Sequence, residues 1–155
     1  MVKIHVVEVT PTITAGAYSA NDQIGGIQTI ALPEDVSSSG GRLVHIHVVD
    51  KAAQSAALQF FFFDELPTVA SADGDACNVS DAEMADKAIF NSSVAAAAYF
   101  TTSANSLGSS GDDSQGHVFK PKGNNLYAVV KTTGTPTYTS TSDLVFKYAF
   151  EYEGP

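Results

Sequence analysis

Two histidines in one predicted strand are the residues of this chain that come closest to a metal site. His45 and His47 lie two positions apart, so their side chains share one face of the strand. Imidazole nitrogens bind zinc and related metals, and His5 in the first predicted strand is the candidate third ligand. No cysteine or carboxylate cluster adjoins these residues. We therefore prefer two histidines on a polar sheet face to a metal site.

Acidic residues in the stretch 73–83 resemble a calcium loop at first sight. They are Asp73, Asp75, Asp81 and Glu83. A helix-loop-helix calcium site needs glycine at its sixth position and glutamate at its twelfth, but counting from Asp73 these positions hold Asn78 and Met84. An irregular calcium site stays open as an alternative, and a solvated acidic loop is our preferred interpretation.

Motifs for nucleophilic, glycosidic or phosphate chemistry are missing. Cys77 is the only cysteine, which excludes an intrachain disulfide, and no histidine-containing signature surrounds it. Asp112 and Asp113 are paired carboxylates, but neighbours on a loop rich in Ser and Gly rarely hold the separation that glycoside hydrolysis requires. Gly25-Gly26 and Gly40-Gly41 lack the Gly-Lys-Ser/Thr ending of a phosphate loop. We predict no catalytic, cofactor-binding or metal-binding residue, and no enzymatic activity.

Charge and composition narrow the classes of partner. The 155 residues include 8 basic and 17 acidic ones, for a formal net charge of -9, so nucleic acid is a poor partner. No run approaches the roughly 18 apolar residues of a membrane helix, and we expect no membrane association. Residues 1–9 lack the pattern of a signal peptide, so we expect a protein made inside a cell. With 44% hydrophobic residues the chain has enough for one core, and we predict a single β-sandwich domain over residues 1–155.

Short apolar runs separated by turn residues predict strands rather than helices along most of the chain. The predicted strands are Val2–Thr10, Thr12–Tyr18, Ile24–Leu32, Arg42–Asp50, Ala56–Phe63, Val94–Thr102, Leu126–Lys131 and Leu144–Glu153, with shorter pieces at Ile89-Phe90 and His117–Pro121. Within Val94–Thr102, the residues Ala95 to Ala98 could equally be helical. We count about eight to ten strands and no alternation of strand and helix. This pattern indicates an all-β fold, an antiparallel β-sandwich or jelly roll.

Other signals place one helix and several loops. Ser80 with Glu83 three residues later forms a capping box, which predicts one short helix near 80–88. Residues 37–41 and 103–116 are rich in Ser and Gly and are predicted loops. The last two strands, joined by the polar turn 134–143, are predicted to form a closing hairpin.

Alternation along a strand predicts which side chains share a face. In the last strand one face is aromatic: Phe146, Tyr148, Phe150 and Tyr152. In the strand 42–50 one face holds Val44, Ile46 and Val48, and the other holds Leu43, His45, His47 and Val49. The run Phe60–Phe63 requires cover on both faces of its strand. Because the chain has no Trp, we interpret these aromatic residues as core and subunit contacts rather than as a sugar-binding platform.

Several segments together resemble small structural proteins encoded beside capsid genes in tailed-bacteriophage and prophage genomes. The segments are Gly26–Ile30, Leu43–Asp64, Ser80–Lys87, Leu126–Val130 and Gly134–Leu144. The likeness covers most of the chain from about Gly26 onward. It is a likeness of order and composition and contains no catalytic motif.

The resemblance implies a virion component, most plausibly a head decoration or cement protein on the capsid surface. Its implied partners are the major capsid protein and further copies of itself, as trimers or dimers, with assembly in the host cytoplasm. Residues 1–25 would act as an N-terminal arm, because an end strand can pair with the sheet edge of another subunit. A tail or other virion protein and a carbohydrate-binding β-sandwich module remain the alternatives.

Overall fold

Two antiparallel sheets make up the fold of the protein. The computed structural model describes residues 1–111 and 116–154. The strands are β1 (Val2–Val9), β2 (Gln28–Ala31), β3 (Gly41–Asp50), β4 (Leu58–Phe63), β5 (Ala88–Val94), β6 (Tyr99–Thr101), β7 (Ser106–Ser109), β8 (His117–Phe119), β9 (Asn125–Thr132) and β10 (Leu144–Glu153). The helices are α1 (Glu34–Ser39), α2 (Asp81–Lys87) and one 3-10 turn at Ala96–Ala98. The predicted all-β fold class with a short helix near 80–88 is confirmed.

The order of strands in the sheets corrects the predicted closing hairpin. The six-stranded sheet runs β1-β10-β3-β7-β6, with β8 also paired to β3, and the four-stranded sheet runs β2-β9-β4-β5. Strands β9 and β10 therefore lie in different sheets, and the connection between them crosses the sandwich. Long-range pairing separates the two strands, because β10 pairs with β1 and β3 whereas β9 pairs with β2 and β4. Each strand therefore contributes its apolar inner face to a different side of the core.

Aromatic side chains from the two sheets interlock in the core. Phe60 on β4 lies edge-to-face against Phe146 on β10, with ring centroids 5.2 Å apart, and Phe62 meets Tyr148 in the same way at 5.8 Å. The predicted aromatic stripe of β10 is inward at Phe146, Tyr148 and Phe150, which are fully buried. Tyr152, at the end of the strand, is half-buried.

A β-bulge changes the predicted faces of β3. His45 pairs with Ala149 and Leu43 pairs with Phe150, so Val44 is an extra residue on β3. Leu43 consequently turns into the core with Ile46, while Val44 is half-buried. The prediction that Val44 shares the face of Ile46 is wrong, because strict alternation does not hold across a bulge.

The segment 12–18, predicted as a strand, is an irregular stretch docked on the core. Ile13 and Tyr18 are buried. Their backbone N–H groups donate to the carbonyl oxygens of Thr141 and Pro136, respectively, in the β9–β10 connection. These scattered hydrogen bonds satisfy backbone N–H groups without forming a regular ladder, so the segment is not a regular strand.

Three other boundaries differ from the prediction. Strand β2 is shorter than the predicted 24–32, because Gly25 has a φ of 70° and interrupts the extended chain. Part of the predicted loop 37–41 is instead helix α1, a single turn anchored by fully buried Val36 and ended by Gly40 at a φ of 87°. Strand β7 lies inside the predicted loop 103–116, where it pairs with β3.

Helix α2 begins as its sequence predicts. The Ser80 hydroxyl accepts a hydrogen bond from the Glu83 N–H at 3.3 Å, and Glu83 forms an ion pair with Lys87 at 2.8 Å. No helix in the described part of the chain is both long enough and apolar enough to cross a membrane.

We expect Tyr148→Phe to preserve or raise stability. The Tyr148 hydroxyl is buried and has no hydrogen-bond partner among the described residues, and burying an unsatisfied hydroxyl costs on the order of 1 kcal/mol. Tyr18→Phe is the matched control, because the Tyr18 hydroxyl donates to the Asp73 carboxylate at 2.7 Å. Urea unfolding should show an unchanged or higher free energy for the first variant and a lower one for the second. A clear loss for Tyr148→Phe would contradict this account.

Acid should remove the contribution of Asp143 to stability. Its carboxylate accepts hydrogen bonds from the backbone N–H groups of Ser140 and Thr139, each at 2.8 Å. Burial alone would raise the pKa of Asp143, but these bonds hold that pKa below its ordinary value. Stability from Asp143 is therefore present above the unfolded-state pKa of about 3.9 and is lost as pH falls through the lower folded-state pKa.

The variant Asp143→Asn tests this pH dependence. At pH 7 we expect its free energy of unfolding to be about 1 kcal/mol below that of the unmodified protein. The difference should shrink as pH falls from about 4 towards 2, where the native carboxylate is itself protonated. Urea unfolding at a series of pH values measures it, and a difference that stays constant with pH would refute the assignment.

Candidate functional site

The structure does not bring the three candidate metal-binding histidines together. His45 and His47 share the outer face of β3, with ring centroids 5.7 Å apart. His5 pairs with Phe150 while His45 pairs with Ala149, and these successive residues of β10 point to opposite faces. His47 Nδ1 lies 3.0 Å from the Ser109 hydroxyl, and burial, with His45 and Lys147 nearby, lowers the pKa of His47. No group of three metal-ligating side chains occurs within 1–111 and 116–154.

The acidic residues considered for calcium hold parts of the chain to one another. Asp73 accepts hydrogen bonds from the Thr14 and Tyr18 hydroxyls at 2.6 and 2.7 Å and from the Gly25 N–H at 2.5 Å. Burial, reinforced by this carboxylate, raises the pKa of Tyr18. Glu83 forms an ion pair with Lys87 and accepts a hydrogen bond from the Thr68 N–H. Asp73 is therefore an anchor between the loop after β4 and the segment before β2.

The remaining chemical candidates give no reactive centre. Cys77 is half-buried beside a cavity of about 210 Å³, and burial raises the pKa of its thiol, which disfavours the reactive thiolate. Asp112 and Asp113, the paired carboxylates, lie outside the described residues.

The outer face of the four-stranded sheet is covered by the chain itself. Residues 64–88, which we name the acidic cover, pass over this face. Their side chains Cys77, Val79 and Met84 line one cavity with Phe61 and Lys131 of the sheet. Val129 pairs with Phe61 on this outer side and is nevertheless completely buried. The predicted need for cover on both faces of the phenylalanine run is thus met within one chain.

The outer face of the six-stranded sheet, which we name the open face, carries most of the exposed apolar surface. Six of the eight exposed large hydrophobic residues in the described chain project from it: Val2, Ile4, Val6, Phe100, Leu107 and Val118. Phe100 and Val118 are 82% and 80% exposed. Phe100 lies opposite Leu107, and Leu107 lies opposite Val49, so an apolar row crosses neighbouring strands. Exposed apolar surface that runs across neighbouring strands is typical of interaction sites, so this row is the candidate functional site.

Charges on the open face pair with one another. Glu8 lies 3.7 Å from Lys147, and Arg42 lies 2.5 Å from Glu151. With Glu153 included, the strand registers place two basic and three acidic side chains on this face. The open face is therefore almost neutral in a chain with a formal net charge of -9. Seven of the acidic residues lie in the stretch 64–86, on the acidic cover.

The open face is the feature that the sequence did not predict. Its one sequence signal is β1, where Val2, Ile4 and Val6 alternate with Lys3 and His5. Alternation shows that these three apolar residues share a face but not whether that face is inside. The pairing of β1 with β10 places the three residues outward.

Comparison with known proteins gives no relative for this fold or face. No protein-family model, curated protein or solved structure matches the chain.

Removing the Asp73 anchor should loosen the acidic cover. We expect Asp73→Ala to lower the free energy of unfolding by about 3 kcal/mol, because three hydrogen bonds to a charged group are lost. Cys77, whose side chain lines the cavity between the acidic cover and the sheet, should then react faster with a thiol reagent under native conditions. Asp75→Ala is the control, since the Asp75 carboxylate accepts a hydrogen bond from the Ala72 N–H within its own loop and, among the described residues, does not link the loop to another segment. Equal thiol reactivity in the two variants would contradict the anchoring role.

Proposed function

We propose that this chain is a non-enzymatic structural protein of a tailed-bacteriophage virion, a head decoration protein that binds the major capsid protein through its open face. Two lines of support meet here. The sequence resembles small structural proteins encoded beside capsid genes. The observation that carries the proposal is the contrast between a four-stranded sheet covered by its own chain and a six-stranded sheet left open, apolar and almost neutral.

The chemistry of the open face suits attachment to another protein surface. Burying exposed side chains such as Phe100 and Val118 gains about 25 cal/mol for each Å² of apolar area removed from water. Charges buried in an interface are costly unless they are paired, and Arg42 and Lys147 already have acidic partners on the same face. The face can thus be covered without stranding these cations.

The fold also suits a protein that must hold its shape on a shell. The docking residues project from a sheet whose inner face is fixed by the aromatic interlock, so few groups need to be ordered on binding. Preorganised surfaces bind more tightly because they lose less conformational entropy. A rigid body that spans neighbouring capsid subunits would stabilise the shell against internal pressure.

Binding to purified heads tests the proposal. Heads that lack this protein, taken from the phage or prophage whose genome encodes it, should bind the added protein at a fixed ratio to the major capsid protein and should melt at a higher temperature. Phe100→Asp should weaken binding at least tenfold, since it places a charge in the apolar row that Phe100 forms with Leu107 and Val49. Leu66→Asp is the matched control, because Leu66 is 58% exposed but lies on the acidic cover.

Three results would contradict the decoration role. Equal head binding by the Phe100→Asp and Leu66→Asp variants would remove the open face as the docking surface. Electron-microscopy density for the protein on the tail would support the alternative of a tail component. Retention on a glycan array without binding to heads would support the carbohydrate-binding alternative.

A further inference from the structure

The outermost strand of the six-stranded sheet has a free edge. All eight residues of β1, Val2 to Val9, pair with β10 on one side. On the other side of β1, no hydrogen bond from any residue in the described ranges reaches the backbone. A free strand edge exposes a row of N–H and C=O groups that can pair with another strand.

β1 differs from the other edge strands in length and composition. β6, at the opposite edge of the same sheet, has three residues, and β2 of the four-stranded sheet has four. β5 has seven, but its pairing with β4 contains a register shift, and Asn91 and Ser93 give it an exposed polar surface. β1 pairs without any register shift and exposes Ile4 at 69% and Val6 at 52%. It is the edge with the least protection against pairing.

We propose that β1 pairs antiparallel with β1 of a second copy of this chain, so that two six-stranded sheets join into one continuous sheet. The symmetry of such a pair limits the geometry. Two identical antiparallel neighbours are related by a two-fold axis perpendicular to the sheet, so each residue lies opposite one on the same face. The open faces of both copies then lie on the same side.

Side-chain chemistry selects the register centred on Ile4. This register places Ile4 opposite Ile4 and Val2 of each copy opposite Val6 of the other, which makes a six-residue apolar cluster on the open face. On the inner side it places Lys3 opposite His5. Registers centred on His5 or Val6 would instead place Val2 or Ile4 opposite the charged Glu8. Cross-strand apolar pairs stabilise a sheet, and apolar-to-charge pairs do not.

Lys3 is the long charged side chain on the inner side of β1. Lys3 is directed within its own chain, where its Nζ lies 3.7 Å from Asp35 and 5.9 Å from the centre of the Tyr152 ring. We prefer a second copy to a strand of another protein as the partner, because the apolar side chains of β1 are complementary to those of an identical antiparallel strand. The inference is independent of capsid binding and applies to the purified chain alone.

Sedimentation equilibrium of the full-length protein tests the pairing. We expect a dimer with a Kd on the order of 10 μM or tighter, and at least tenfold weaker association for Ile4→Lys and Val6→Lys, which place like charges in the cluster. Val118→Lys is the matched control, because Val118 is exposed on the same face but lies on β8 and should leave the dimer intact. A monomer at roughly 100 μM, or equal weakening by all three variants, would overturn the proposal.

Cysteine cross-linking tests the register, with Cys77→Ser as the background. Directly opposite residues have Cα atoms about 4.5–5.5 Å apart, within the range that a disulfide spans. The Ile4→Cys variant should therefore form a covalent dimer on mild oxidation, whereas His5→Cys, which is offset by two positions from its counterpart, should not. Cross-linking of His5→Cys alone would overturn the register, and failure of both variants would overturn the pairing. Both experiments use the purified chain without heads, so their outcome does not depend on the docking of the open face to a capsid.

Discussion

The contact between two pairs of aromatic rings, one pair from each sheet, is the interaction on which the rest of the structure depends. Phe60 and Phe62 come from β4, which lies between β9 and β5, and Phe146 and Tyr148 come from β10, which lies between β1 and β3. The interlock therefore joins an interior strand of one sheet to an interior strand of the other. Rings of this size supply much of the area that a small sandwich can bury. Loss of one ring would leave a cavity that rigid neighbouring strands fill poorly.

The same interlock decides what the outer surface can be. Once Phe146, Tyr148 and Phe150 point inward, alternation turns the residues between them outward, and the ladder carries this choice to β1 and β3. A slip of one residue would exchange the two faces of every strand in the ladder. The apolar content of the open face is thus set by the packing of the core, and the free edge of β1 follows from its place at the end of the same ladder.

Features formed by residues close together in the sequence could be predicted, whereas features formed by residues far apart in the sequence could not. Local signals were sufficient for α2, where Ser80 and Glu83 are three residues apart, and for the shared face of Phe146, Tyr148 and Phe150. The separation of β9 and β10 into two sheets depends on partners far along the chain, so adjacent strands resembled a hairpin. The bulge at Val44 depends on pairing with β10 and has no glycine to announce it. The open face escaped prediction for a related reason, since a periodic strand does not reveal which of its faces meets the core.

The acidic cover gives the molecule two electrically different sides. Seven acidic residues lie in the stretch 64–86 over the four-stranded sheet, whereas the open face of the six-stranded sheet is almost neutral. Copies attached by their open faces would form a layer whose solvent side carries a net negative charge. Such a layer repels further copies and other anionic macromolecules, so it stops growing at one molecule in thickness. The repulsion reaches only about 8 Å at physiological ionic strength, so high salt would weaken this limit and favour stacking.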